Sequence, residues 1–228
     1  MIFSIFEGLS KNEIKEIFMI SNEKQDKVAP NLLRLFRKAL GLLGADEDVF
    51  KLAESLNSES YSVLKGRIMI GAEKISKGYK EIELSKIILK SNTLDTLEKY
   101  IKESNIDTMT KVLVNYLEAW EKSYGVSFKD PQKDTITKIS GLRYILYLFP
   151  EITDILYKDG KIFVCDNFLE VINELKDAIG IDNVFESDKT ELAFRGEGAT
   201  VALVKQHKKL LQDHHLTESP KFDPTKGV

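Results

Sequence analysis

Cysteine is nearly absent from this chain. The single thiol, Cys165, permits no internal disulfide, so a reducing cytoplasm is the default compartment. No apolar run reaches the length of a membrane span. The opening MIFSIFEGLSKNE has neither the basic region nor the small-residue cleavage site of a signal peptide. Neither sign of charge dominates: 33 Lys and Arg stand against 36 Asp and Glu, a formal net charge of -3. No overall basic surplus announces nucleic acid, although a local patch is compatible with that balance. Histidine is scarce as well. His207 and His214 can share one helical face, but they bring no further ligands with metal-site spacing, so with His215 they read as solvated. There is no Gly-Lys-Ser/Thr of a P-loop and no GxGxxG after a strand. No catalytic pair, cofactor motif or metal-ligand set is read.

What is present is a globular composition. The 228 residues are 43% hydrophobic and 30% charged, enough to bury a core without staples. Residues 1–7 are rich in Ile and Phe and read as a strand. Ser10 and Glu13 form an S-x-x-E capping box ahead of a helix with Ile14, Ile17, Phe18 and Ser21 on one face. Pro30 fits the first turn of the next helix, which carries Leu32, Leu33, Leu35, Phe36, Ala39, Leu40 and Leu43 and stops at Gly44. Asp46 reads as the cap of a further helix through Leu56.

The period then changes. KGRIMIGAEKISKGYKEIELS places β-branched residues around Gly71 and Gly78, which predicts a hairpin of residues 67–71 and 79–84. Ser85 is then expected to cap a helix to about Lys90. Ile106, Met109, Val112, Leu113, Tyr116, Leu117 and Trp120 make one long helical stripe. Ile136, Ile139, Leu142, Ile145, Leu146 and Phe149 make another, to be stopped or bent by Pro150. Residues 157–167 suggest a turn and an extended piece that buries Cys165, with Asp166 capping a helix through Leu175. FRGEGATVALVK opens a last helix, and its glycines with Arg195 serve either a phosphate at the helix start or a plain turn. The tail from His214 is expected to be loose.

Two polar features remain. Lys24, Lys27, Arg34, Arg37 and Lys38 cluster in sequence, and such a cluster either touches a phosphate backbone or forms a solvated helix face. Asn22 and Gln25 sit between two apolar helices, where glycine or serine would serve a plain turn better.

Four segments, in order, resemble the DGQHR-domain family. FEGLSKNEIKEIFMISNEKQDKVAPNLL offers Phe6, Leu9, Ser10, Phe18, Asn22, Gln25, Val28 and Leu32 in the family's order. LAESLNSESYSVLKGRIMI offers Leu56, Asn57, Ser62, Gly66, Arg67 and Ile68. GYKEIELSKII and TKISGLRYILYLFPEI resemble two later stretches. The likeness spans about residues 3 to 152. The Asp-Gly-Gln-His-Arg signature itself does not occur in this sequence, so no role tied to it carries over.

The family includes DndB-like regulators that accompany DNA phosphorothioate modification. The resemblance therefore implies the C-terminal part of a DGQHR-type protein serving DNA modification or defence, acting as a DNA-binding or regulatory module. Two alternatives stand beside it: a protein-interaction scaffold without chemistry, and half of a nucleotide-dependent enzyme completed by another chain. The expected fold is α+β, mainly α: a helical domain with a short N-terminal strand and a small β-hairpin. Residues 1–152 are expected to form the DGQHR-like portion, 153–213 a helical extension packed on it, and 214–228 a flexible tail. Candidate nucleic-acid contacts are Lys24, Lys27, Arg34, Arg37 and Arg195. Asn22 and Gln25 either organise a helix junction or face a site shared with the DGQHR half. Expected partners are DNA and either a chain carrying that half or a second copy joined through the N-terminal strand.

Overall fold

The computed structural model describes residues 8–10, 13, 14, 17, 30–71, 74–101, 105–129, 134–180, 185 and 196–218, with 215–218 described by backbone alone. Among them the chain order is α1 (Pro30–Ala39), a 3-10 turn (Gly44–Asp46), α2 (Glu47–Ser58), β1 (Ile68–Met69), β2 (Tyr79–Lys80), α3 (Glu81–Lys90), α4 (Thr93–Tyr100), α5 (Ile106–Tyr124), a second 3-10 turn (Thr135–Thr137), α6 (Ile139–Lys158), α7 (Cys165–Ile179) and α8 (Gly196–Glu218). The fold is α+β and mainly α, as the periodicity implied. No helix among the described residues is long and apolar enough to cross a membrane.

The longest stripe becomes the central helix. Asn105 caps α5 by accepting a hydrogen bond from the Thr108 N–H at 3.0 Å. Met109, Leu113, Tyr116 and Trp120 recur at helical spacing and are all buried. Helix α5 packs on α7 and α2, while α8 closes over α6 and α7. Where they meet, aromatic rings fill the core edge to face: Tyr116 lies 5.0 Å from Phe149 and 5.2 Å from Phe168, and Trp120 lies 6.0 Å from Tyr144.

Pro150 neither stops nor visibly divides α6, which runs through it to Lys158. A proline removes the N–H that would serve the carbonyl four residues earlier, and its ring crowds that turn. Here the deprived carbonyl, Leu146, accepts a hydrogen bond from the Thr93 hydroxyl at 3.2 Å. The neighbouring Ile145 carbonyl accepts from the Tyr116 hydroxyl at 2.7 Å. One other helix, α4, thus supplies the donor that proline withholds, and α5 adds a hydroxyl to the neighbouring carbonyl.

Several local expectations are corrected. The predicted hairpin is a two-residue parallel pair, Ile68 opposite Tyr79 and Met69 opposite Lys80. The connection, residues 70–78, is too long to join the two strands as a tight hairpin. Helix α3 starts directly after β2, so Ser85 lies inside it, buried, and donates its hydroxyl to Glu81. Asp46 does occupy the N-cap of α2, but its carboxylate makes no cap bond; it turns to Arg34 at 3.3 Å. Cys165 is half-buried and begins α7 itself, with Asp166 in the first turn. Helix α8 continues to Glu218, so the helical part extends past His214.

The capping box forms as expected: the Ser10 N–H donates to Glu13 at 2.9 Å and the Glu13 N–H to the Ser10 hydroxyl at 3.4 Å. The expected strand of residues 1–7 lies outside the described residues.

Candidate nucleic-acid interface

The basic cluster expected on α1 is largely turned inward. Asn31 and Arg34, one helical turn apart, are the buried residues of this helix, not its leucines. Arg34 Nε lies 3.2 Å from Glu81, itself fully buried at the start of α3. Burial pushes the Glu81 carboxyl above its usual range, against the opposing pull of the Ser85 hydroxyl and Arg34. Asn31 donates to the Met69 carbonyl at 2.9 Å and accepts from the Ile82 N–H at 3.3 Å. It thereby caps α3 from another helix. Lys38 pairs with Glu54 and lies 5.3 Å over the Phe50 ring. Arg34 is therefore a structural ion-pair partner and leaves the expected DNA-contact set. Arg37 is half-buried on the same helix. Lys24, Lys27, Arg195, Asn22 and Gln25 lie outside the described residues.

A different basic surface emerges where two helices begin side by side. Its first wall is the β2–α3 junction. Gly78 is required there, because a Cβ would sit 2.9 Å from the Arg67 carbonyl oxygen and 2.8 Å from Ile75. Lys77 before it adopts a left-handed conformation, φ 62°, and its carbonyl accepts from Arg67 at 3.1 Å. The second wall is the start of α6. Gly141 packs so tightly on the preceding 3-10 turn that a Cβ would meet the Ile136 carbonyl oxygen at 2.3 Å. Tyr79 ties the walls together by donating its buried hydroxyl to the Thr137 carbonyl. That burial raises the hydroxyl's pKa, so it stays protonated as a donor.

Between the walls lies an open cleft of about 460 Å³, lined by Lys77, Lys80, Glu83, Thr137, Lys138 and neighbouring backbone. Three lysines face one glutamate. Lys80 pairs with Glu83 at 3.2 Å, but both are exposed and such a pair is weak. Lys138 has no ion pair among the described residues and provides no side-chain cap for α6. The positive end of the α6 dipole thus opens beside ammonium groups. Arg143 of α6 is within electrostatic reach of Lys90 and Glu197, away from the cleft lining.

Chemically, this arrangement suits recognition of an anion the size of a phosphate, by point charges and a helix end together. Each of these lysines stands directly at a glycine or a helix start in the fold. Among the described residues no group of three or more His, Cys, Asp or Glu could hold a metal ion.

His207 also departs from expectation. It is 2% exposed, against α6, where its Nδ1 and the Tyr144 hydroxyl share a hydrogen bond of 2.6 Å. Burial lowers its pKa to about 4, so the ring is neutral. Comparison with known family models, curated proteins and solved structures returns no match.

Proposed function

We propose that this chain serves a DNA-modification or defence system as a DNA-binding, regulatory domain, with the cleft at Lys77, Lys80 and Lys138 as its phosphate contact. The observation that carries the reading is three lysines against one carboxylate at the uncapped start of α6. The ordered resemblance of four segments to the C-terminal part of DGQHR-type proteins supports it independently. Those segments include GYKEIELSKII and TKISGLRYILYLFPEI, which form the two walls of the cleft. Phosphate contacts of this kind supply affinity without reading bases, so binding is tolerant of sequence.

The test is fluorescence anisotropy of a labelled duplex of about 20 base pairs at low and rising salt. Weak binding is expected, with log affinity falling against log salt at a slope of roughly -2 to -3, the value for about three neutralised phosphates. Lys80→Glu with Lys138→Glu should lower affinity at least tenfold while the helical circular dichroism stays intact. Absence of binding at low salt, or binding indifferent to both charge reversals, would overturn the proposal.

A further inference from the structure

Helix α8 carries two stripes with different environments. Thr200, Val204, His207 and Leu211 recur at three and four residues and are buried against α6 and α7. Beside them, Val201, Lys205, Lys208 and Gln212 line an open groove of about 680 Å³, with Lys209 on its rim and Tyr147 of α6 in its floor. Val201 is 42% exposed there.

Three lysines and no carboxylate line this groove among the described residues. Elsewhere on the same face of the molecule lysines are paired, Lys90 with Glu197 at 2.7 Å and Lys99 with Asp154 at 3.2 Å. Lys205, Lys208 and Lys209 make no ion pair among the described residues. Lys208 is half-buried, and burial lowers its pKa, the response of an ammonium that has lost water. Glu151 and Asp154 attract it from a distance. Glu151 also accepts from Gln212 at 2.6 Å, and Asp154 pairs with Lys99 and accepts from Tyr100.

We infer that the α6–α8 groove is a docking surface for an acidic amphipathic helix of a partner protein. The apolar floor of Tyr147, Val201 and Val204 takes the partner's apolar face, and the three unpaired lysines take carboxylates along its edge. From Val201 to Gln212 the groove runs roughly 16 Å, the length of about three helical turns. A second copy of this chain offering the same surface would set lysine against lysine, so self-docking here is disfavoured. A nucleic-acid backbone would match the lysines but leave the apolar floor unused.

The test uses the full chain and a labelled synthetic peptide of about 18 residues, leucine on one helical face and glutamate on the other. A second peptide with lysine in place of glutamate is the control. Anisotropy should show the acidic peptide binding at least tenfold tighter than the basic one. Lys205→Glu with Lys209→Glu should reverse that order, and Val201→Asp should weaken the acidic peptide about tenfold. All three positions are exposed, so the variants should retain wild-type circular dichroism. Amide shifts on binding should fall on residues 197–212 and around Tyr147.

Equal affinity for the two peptides, or a preference unmoved by the charge reversals, would overturn the inference. So would a duplex DNA that displaces the acidic peptide through the same lysines, or a dimer in sedimentation that Lys205→Glu dissolves. Because the cleft at Lys80 and Lys138 is untouched by these variants, failure here leaves the DNA-binding proposal standing, and the reverse holds as well.

Discussion

Two seams among the described residues are built from opposite chemistry. The seam of α5, α6, α7 and α8 is aromatic and aliphatic, centred on Tyr116, Trp120, Tyr144, Phe149 and Phe168. The seam of α1 against α3 is polar, centred on Asn31, Arg34 and Glu81. The first gains from removing apolar surface from water, an effect that tolerates small shifts. The second depends on geometry, because a buried guanidinium and carboxylate offset their desolvation only when well placed. The aromatic seam therefore supplies stability, and the polar seam fixes how α1 sits on the start of α3.

Breaking the aromatic seam should have the largest effect. Trp120→Ala removes a fully buried ring and should cost roughly 3–5 kcal/mol in denaturant unfolding; a loss under about 1 kcal/mol would contradict its place in the core. Breaking the polar seam from one side comes next. Glu81→Leu leaves Arg34 with the part-exposed Asp46 alone and should cost about 3 kcal/mol. The double variant Arg34→Met with Glu81→Leu should recover most of that loss, because the desolvated charge goes as well. If the double variant is as unstable as the single one, the pair contributes more than it costs and the contrast between the seams fails.

The smallest effect is a titration. His207 has a folded pKa near 4 and an unfolded one near 6.5. Above about pH 6.5 both states are neutral and the contribution is complete. As pH falls towards 4 the unfolded chain takes a proton that the folded chain refuses, so stability drops. The loss approaches at most roughly 3 kcal/mol. Comparing unfolding of the native chain with His207→Gln between pH 7 and 4 isolates it from the carboxylates; parallel curves would show that the ring is solvated after all.

The same contrast explains what could be read in advance. Helix α5 and its Met109–Leu113–Tyr116–Trp120 face follow from apolar spacing alone, and the capping box follows from Ser10 and Glu13. The polar seam was illegible, because arginine and glutamate at helical spacing look like a solvated face until a partner helix is known. Arg34 was misjudged for that reason, and His207 for the same one. The parallel pairing of Ile68–Met69 with Tyr79–Lys80 was hidden because β-branched runs around glycines mark strands but not their relative direction. The basic cleft draws its lysines from positions 77, 80 and 138, and only the close packing at Gly78 and Gly141 brings them together. The residues singled out by family resemblance do have local work. Asn57 accepts the Ile68 N–H at 2.8 Å, and Ser62 accepts the Leu64 N–H at 3.1 Å.

Pro150 has a consequence for the order of folding. An uninterrupted helix can close its own hydrogen-bond ladder as it forms, ahead of any neighbour. Helix α6 cannot, because Pro150 offers no N–H to the Leu146 carbonyl, which takes its donor from Thr93 of α4. Its middle turn is completed only when that helix arrives. Local helix growth and long-range assembly become one event at this point, and two segments of the chain commit to the native arrangement together.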